Sequence, residues 1–348
     1  MTTIDPIWNL PPTTEHMTML ANDPLAQQLP WHIVDNGIDR LLWPLVKDVT
    51  KKKKILLVDT GVSKTHCDEG ELAGQVIEVA DFTNSGRSGP WDHKGHGSHV
   101  AGIMLSKRFG IGKDCLQLYS AKALGDNGVG YDSAIAAAIA WGLKRPGGID
   151  AINLSLGSNQ LSKDVDGILR EATQQGVLIF CAAGNDGGPV GEPGAQPYAI
   201  TASATNQQRL IANFSNRGPQ VTICAPGVEI FSLAPQLSYA TMSGTSMSCP
   251  NVCAYACCKL AYDELHSLPP IKTWQQAYEW MTDDADDLGV PGRDPLYGLG
   301  ILNPAKFKKA APLPIAPLPI ETAPDTILVE GLKVGSALYR GTLQKLRQ

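Results

Sequence analysis

The stretch ILLVDTGV, Ile55 to Val62, decides how this chain is read. Four apolar residues in a row, with β-branched Ile55 and Val58 at the ends, run directly into Asp59, Thr60 and Gly61. Such a run is too short for a helix and stops at a turn, so it predicts a strand buried on both faces and ending in a carboxylate. Leu118–Leu124, Ala151–Leu156, Val177–Ala183, Ala199–Ala204 and Val221–Ala225 have the same form. Helix-like stretches lie between them. Tyr131–Lys144 is Ala-rich with one apolar face, and Ser162–Gln175 opens on a capping serine and stops before Gly176. Strands alternating with helices imply an α/β fold, doubly wound, with a mainly parallel sheet and helices on both faces. Active groups are then expected at the carboxyl ends of the strands, where Asp59 and Asn185 both fall.

At 348 residues the chain has room for one large core and a small appendage, since single cores stop growing near roughly 250–300 residues. A 43% hydrophobic, 18% charged composition with 35 Gly and 25 Pro suits a turn-rich globule. The formal charge of -5 gives no basic surface for nucleic acid, which is not expected as a partner. The basic run Lys51–Lys54 is expected to be a solvated lead-in to the strand that follows. No apolar stretch approaches the ~20 residues of a membrane span, so no membrane partner is expected.

Residues 1–21 lack a basic and an apolar region and are expected to be a leader rather than a secretion signal, leaving the chain in the cytoplasm. The eight cysteines fit that compartment. Cys249, Cys253 and Cys257 recur every four residues along one helix face, and no C-x-x-C pair appears, so buried free thiols are expected rather than disulfides or zinc ligands. Beyond a main domain of residues 22–309, the segment APLPIAPLPIETAP marks a Pro-rich linker, 310–325. The tail, 326–348, is too short for a core of its own and is expected to dock as a short helix or stay mobile.

Amide hydrolysis by a serine needs a base for the hydroxyl proton, a carboxylate that holds the base in one tautomer, and donors for the developing oxyanion. Four segments supply those residue types. LLVDTGV sets Asp59 at a strand end, and HKGHGSHVAGI sets His96 at a helix start between Gly95 and Gly97. SGTSMSCP opens the cysteine-bearing helix at Ser246, where free N–H groups and the helix dipole favour negative charge. FCAAGNDGG sets Asn185 in a strand-to-loop turn.

In this order and context, the four segments resemble the signature blocks of the subtilases, the subtilisin-like serine peptidases. The resemblance runs from about Asn22 to Lys309 and takes in AKALGDNGVG, INLSLGS, NFSNRGP, APGVEI and RDPLYGLGILN. It implies a serine endopeptidase with Asp59, His96 and Ser246 as the triad and Asn185 as a side-chain donor to the oxyanion. It also implies that Gly128, Val129 and Gly130 on one side, and Ser155, Leu156 and Gly157 on the other, present backbone to an extended peptide or protein substrate. Glu192, in the short loop GGPVGEPG, is either a determinant for basic side chains or an exposed acid. Ser98 and Asn251 replace the family's usual threonine and histidine. The short leader resembles that of intracellular members, whose extensions can block the cleft. No cofactor is expected. Many subtilases bind calcium in the loop after the histidine-bearing helix, but here Lys107, Arg108 and Lys113 stand in GIMLSKRFGIGKDCLQ beside the lone acid Asp114, so a tight site is not expected there; a weaker calcium site elsewhere stays open.

Three competing readings remain at this point. His93, His96 and His99 are spaced by three as zinc ligands could be, although the intervening glycines are expected to interrupt a regular helix and H-E-x-x-H is missing. A catalytically silent peptide-binding module and an acyl-transferring ligase would use the same cleft.

Overall fold

The computed structural model describes residues 28–83 and 89–307 in full, and 7–9, 14–20, 326–334 and 337–344 as backbone strands. In chain order the first strands are β1 (Ile7–Asn9), β2 (Thr14–Leu20), β3 (Lys53–Asp59), β4 (Val76–Asp81), β5 (Leu116–Lys122) and β6 (Val129–Tyr131). Then come β7 (Ala151–Leu154), β8 (Leu178–Ala182), β9 (Ala199–Thr205), β10 (Ile223–Pro226), β11 (Ile230–Ala234), β12 (Ser238–Ser243), β13 (Ala285–Asp286) and β14 (Ile301–Leu302). The helices are α1 (Trp31–Val34), α2 (Trp43–Val46), α3 (Lys64–Asp68), α4 (His96–Leu105), α5 (Asp132–Leu143), α6 (Lys163–Gln174), α7 (Thr245–Leu265) and α8 (Trp274–Asp284).

Nine strands form the main sheet in the order β13-β14-β10-β9-β8-β7-β3-β5-β4. All neighbours run parallel except the edge pair β13 and β14. From β3 the order runs out through β5 and β4 on one side and through β7 to β10 on the other, which is the doubly wound arrangement expected from the sequence. A crevice opens where such an order reverses, outside the carboxyl ends of the strands. The continuous apolar run of β3 has its cause in this position. Ile55 and Leu57 join the core under α4 and α7, and Leu56 and Val58 join the core under α5 and α6. Each fully buried side chain of this kind stabilises the sheet by about 1.5–3 kcal/mol.

Helix α7 is buried on nearly every side, which explains its small thiols. Cys249, Cys253, Cys257 and Cys258 are all buried and free. Cys115 and Cys258 meet as thiols, Sγ to Sγ 3.4 Å. Lys259, also fully buried, is tolerated because it pairs with buried Asp263 one turn along.

Two expectations need correction. Of the glycines around His96, Gly95 does interrupt a helix, since it precedes α4 in the left-handed conformation at φ +98° and leaves His93 outside, but Gly97 lies inside α4. It is glycine because a Cβ there would stand 2.1 Å from the carbonyl oxygen of Gly61. The basic run is not wholly solvated either. Lys53 opens β3 with its side chain only 13% exposed, paired with Asp150 at 3.3 Å and Glu264 at 2.6 Å.

The chain divides into two units, Met1–Ala310 and Ala311–Gln348. Within the second, the tail backbone pairs as an antiparallel hairpin, β15 (Thr326–Val334) with β16 (Ala337–Gln344), rather than as a helix. The mostly apolar, partly β-branched runs Thr326–Val329 and Leu332–Val334 favour strand over helix. The Pro-rich linker lies outside the described residues. In the first unit, β1 pairs antiparallel with β6 and β2 with β12.

One carboxylate joins the end of β3 to the start of α4. Asp92, 3% exposed, accepts at Oδ1 from the Thr60 hydroxyl and the N–H groups of Lys94 and Gly95, and at Oδ2 from the N–H and hydroxyl of Ser98. Burial pushes its carboxyl up from the ordinary value, and these donors pull it back. Asp92→Asn turns an amide NH2 against donors on one side or the other. We expect a loss of about 2–4 kcal/mol in urea unfolding; a loss under about 1 kcal/mol would show that the junction does not depend on this carboxylate.

Candidate active site

Asp59 ends β3 at the crevice, fully buried. Its Oδ1 accepts from the Thr60 N–H at 2.7 Å and lies 2.8 Å from His96 Nδ1; Oδ2 is 3.1 Å from the same nitrogen. A carboxylate acceptor fixes the proton on Nδ1, so Nε2 carries the free lone pair. That nitrogen is buried and has no hydrogen-bond partner among the described residues. The Thr60 hydroxyl donates to Asp92 and accepts from the Gly97 N–H, so strand end and helix start share one network.

His99 lies one turn further along α4. Its Nε2 donates to the carbonyl oxygens of Ile230 and Ala240, at 2.9 and 3.1 Å, and burial lowers its pKa to about 3. It is a neutral packing residue. His93 is exposed on the preceding loop. The zinc reading has no geometry behind it: His96 and His99 are each turned to different partners, and no cluster of metal-ligating side chains occurs among the described residues.

Ser246 is fully buried in the first turn of α7. Pro250 lies four residues later, inside the helix, and has no N–H to give to the Ser246 carbonyl. The Ser155 hydroxyl takes that place at 2.9 Å, while the Ser246 hydroxyl donates to the Ser155 carbonyl at 3.2 Å. Asn153 in turn donates to Ser155 Oγ at 3.0 Å. The end of β7 and the start of α7 therefore hold each other, and the Ser246 proton points at Ser155 in this structure.

Asn185 follows β8 and is 7% exposed. Its Oδ1 accepts from both the N–H and the hydroxyl of Thr245, each at 2.8 Å, which sets the rotamer of the amide. With the oxygen held there, the nitrogen end points the other way. The first of the two segments expected to flank a substrate is a true strand: Gly128 precedes β6 with φ +80°, and Gly130 has no room for a side chain because a Cβ would stand 2.4 Å from the Ala123 carbonyl oxygen. Its partner in this structure is β1, with Ile7 opposite Tyr131, Trp8 opposite Gly130 and Asn9 opposite Val129. The second segment, Ser155, Leu156 and Gly157, follows β7 and continues into Ser158, which exchanges two backbone hydrogen bonds with Glu192. The Glu192 carboxylate accepts from Gln196 at 2.9 Å and is half-buried, so it is not an exposed loop acid.

Of the noted departures, Ser98 serves Asp92, and Asn251 donates to the carbonyls of Met247 and Pro226. Sequence reading missed Asp92, Thr60 and Thr245. Asp92 had a signal, since an aspartate shortly before a helix start can accept local N–H groups. Thr60 and Thr245 had none, because their partners are 32 and 60 residues away in the chain.

Set beside known proteins, residues 50–300 match the Subtilase family. The chain is 36% identical to the minor extracellular protease Epr of Bacillus subtilis over 258 residues, 72% of this chain and 38% of that protein's length. It is 33% identical to Subtilisin Savinase of Lederbergia lenta over 286 residues, 80% of this chain and 98% of that protein. A third relative, M-protease of Shouchella clausii, is 35% identical over 67% of this chain and 60% of its own length. The family match covers the crevice and every element that lines it from β3 to α7, and the chain belongs to the subtilase family of serine endopeptidases.

Proposed function

We propose that Ser246 is the nucleophile, His96 its general base and Asp59 the group that orients the base. The observation that carries this reading is the fully buried Asp59–His96 hydrogen bond at 2.8 Å, which leaves Nε2 as the acceptor. Rotation of the Ser246 side chain from the Ser155 carbonyl to Nε2 arms the hydroxyl. Attack on a substrate carbonyl then passes the proton to His96, whose imidazolium is stabilised by Asp59. The Asn185 amide and the Ser246 N–H in the first turn of α7 receive the oxyanion; the Thr245 N–H is already given to Asn185 Oδ1. His96 returns the proton to the leaving amine, an acyl-enzyme forms on Ser246, and water repeats the sequence to release it. No cofactor takes part in these steps.

Peptide or protein substrates bind as added strand between β6 and the Ser155–Gly157 segment, where main-chain hydrogen bonds give affinity with little sequence reading. The antiparallel pairing of β1 with β6 uses the same edge. That supports a reading of the leader as a restraint on the cleft, in which β1 holds one wall and the β2–β12 pairing anchors it.

The chain is read as working in a reducing compartment. All eight of its cysteines are free, and seven of them are buried. In the turn after α4, Arg108 lies over the Tyr239 ring at 4.8 Å and Lys113 over the Trp43 ring at 4.7 Å, which supports the expectation that no tight calcium site forms there.

Ser246→Ala is expected to abolish labelling by a fluorophosphonate probe with an unchanged far-ultraviolet circular dichroism spectrum; labelling that persists would overturn the assignment. Removing residues 1–21 is expected to raise turnover of a short peptide substrate, and a truncated protein no faster than the full chain would rule out restraint. A chelator is expected to move the melting temperature by less than about 2 °C, because only an ion bound to the native state adds stability. A larger drop, reversed by calcium, would place a site in another loop.

A further inference from the structure

The loop that carries Asn185 is held from outside by a residue no catalytic role accounts for. Asn216 lies between β9 and β10 and is 4% exposed. Its Oδ1 accepts from the N–H groups of Asp186 and Gly188, at 2.8 and 3.1 Å, and its Nδ2 donates to the Pro189 carbonyl at 2.8 Å. Its own N–H donates to the Gly184 carbonyl at 2.9 Å. Residues immediately before and after Asn185 are therefore both bonded to Asn216.

Neighbours reinforce the clamp. Gly187 N–H donates to the Phe214 carbonyl at 2.8 Å, and Arg217 N–H to that of Gly188 at 2.9 Å. Gly184 has φ +108°, and a Cβ on it would stand 2.3 Å from Asn216 Nδ2, so the loop and the asparagine approach as closely as a glycine permits. Thr245 fixes the Asn185 side chain. The Thr245 hydroxyl also accepts from the Gly184 N–H at 3.0 Å, so the three side-chain bonds of Asn216 hold the turn after Asn185 and its backbone N–H the residue before it.

We propose that Asn216 is a positioning residue for the oxyanion donor: it holds the 184–189 turn so that the Asn185 amide meets the transition state. This rests on the reading of Asn185 given above. The loop backbone, not the amide rotamer, is what Asn216 sets, so its loss lets Asn185 drift from the position where charge develops while ground-state binding of substrate is kept.

The test is a cycle of full-length Asn216→Ala, Asn185→Ala and the double variant on a fluorogenic peptide amide, with melting curves to verify folding. Asn216→Ala is expected to lower kcat about tenfold or more and leave KM within about twofold, the pattern of an interaction made only in the transition state. In the Asn185→Ala background the same change is expected to cost less than about twofold, because a residue that acts through another has nothing left to position. Effects that multiply, or a change confined to KM, would overturn the proposal while Asn185 keeps its role. An unchanged kcat in Asn185→Ala would overturn both. If Asn216→Ala does not fold, Asn216→Asp, which keeps the acceptor but loses the bond to Pro189, is put through the same cycle with the same criteria.

Discussion

A parallel sheet covered on both faces leaves almost nowhere for a polar group except the ends of its strands. The side chains of β3 alternate between two cores, and neither core has room for a carboxylate. Asp59, Ser155 and Asn185 therefore stand at or just past the ends of β3, β7 and β8, where the sheet stops and the crevice begins. Small polar side chains such as Asn153 and Ser203 are buried within strands, but the carboxylate of Asp59 stands at a strand end because an ionised group inside either core would be costly without partners.

Placing polar groups in that crevice removes them from water, and each then needs a partner. Asp59 has Thr60 and His96, Asp92 gathers donors from both the strand end and the helix start, and Asn185 has Thr245. The sites where the backbone departs from regularity serve the same purpose. Pro250 withholds an N–H from α7, and the carbonyl so released is what Ser155 binds. Gly97 lets α4 approach the β3 turn closely enough for Thr60 to accept its N–H. Local irregularity in one element becomes the joint between two.

The same logic bears on access. The short strand β6 lies outside the main sheet, and an unpaired strand edge is a template for another chain. Here that edge is paired with β1. The backbone groups proposed to add a substrate strand are the ones that hold this segment of its own chain. On the proposed reading, a substrate strand and β1 would compete for one row of hydrogen bonds.

The amino-acid sequence by itself determined the parallel α/β architecture, because buried strands and capped helices leave local, periodic marks in runs such as Ile55–Val58 and Ser162–Gln175. It also determined Asp59, His96, Ser246 and Asn185 as candidates, since each lies in a short segment of distinctive residue types at a turn. The strand character of the tail was legible too, in the apolar and β-branched runs of residues 326–334, and was overlooked because the segment is short. Only the tertiary structure decided what holds those candidates. Asp92 meets Thr60, Thr245 meets Asn185 and Asn216 meets Asp186 across 32, 60 and 30 residues of chain. Hydrogen bonds over such separations leave no periodic trace in a single sequence; they exist because the folded sheet brings strand ends together, and because each polar group it buries there must be matched.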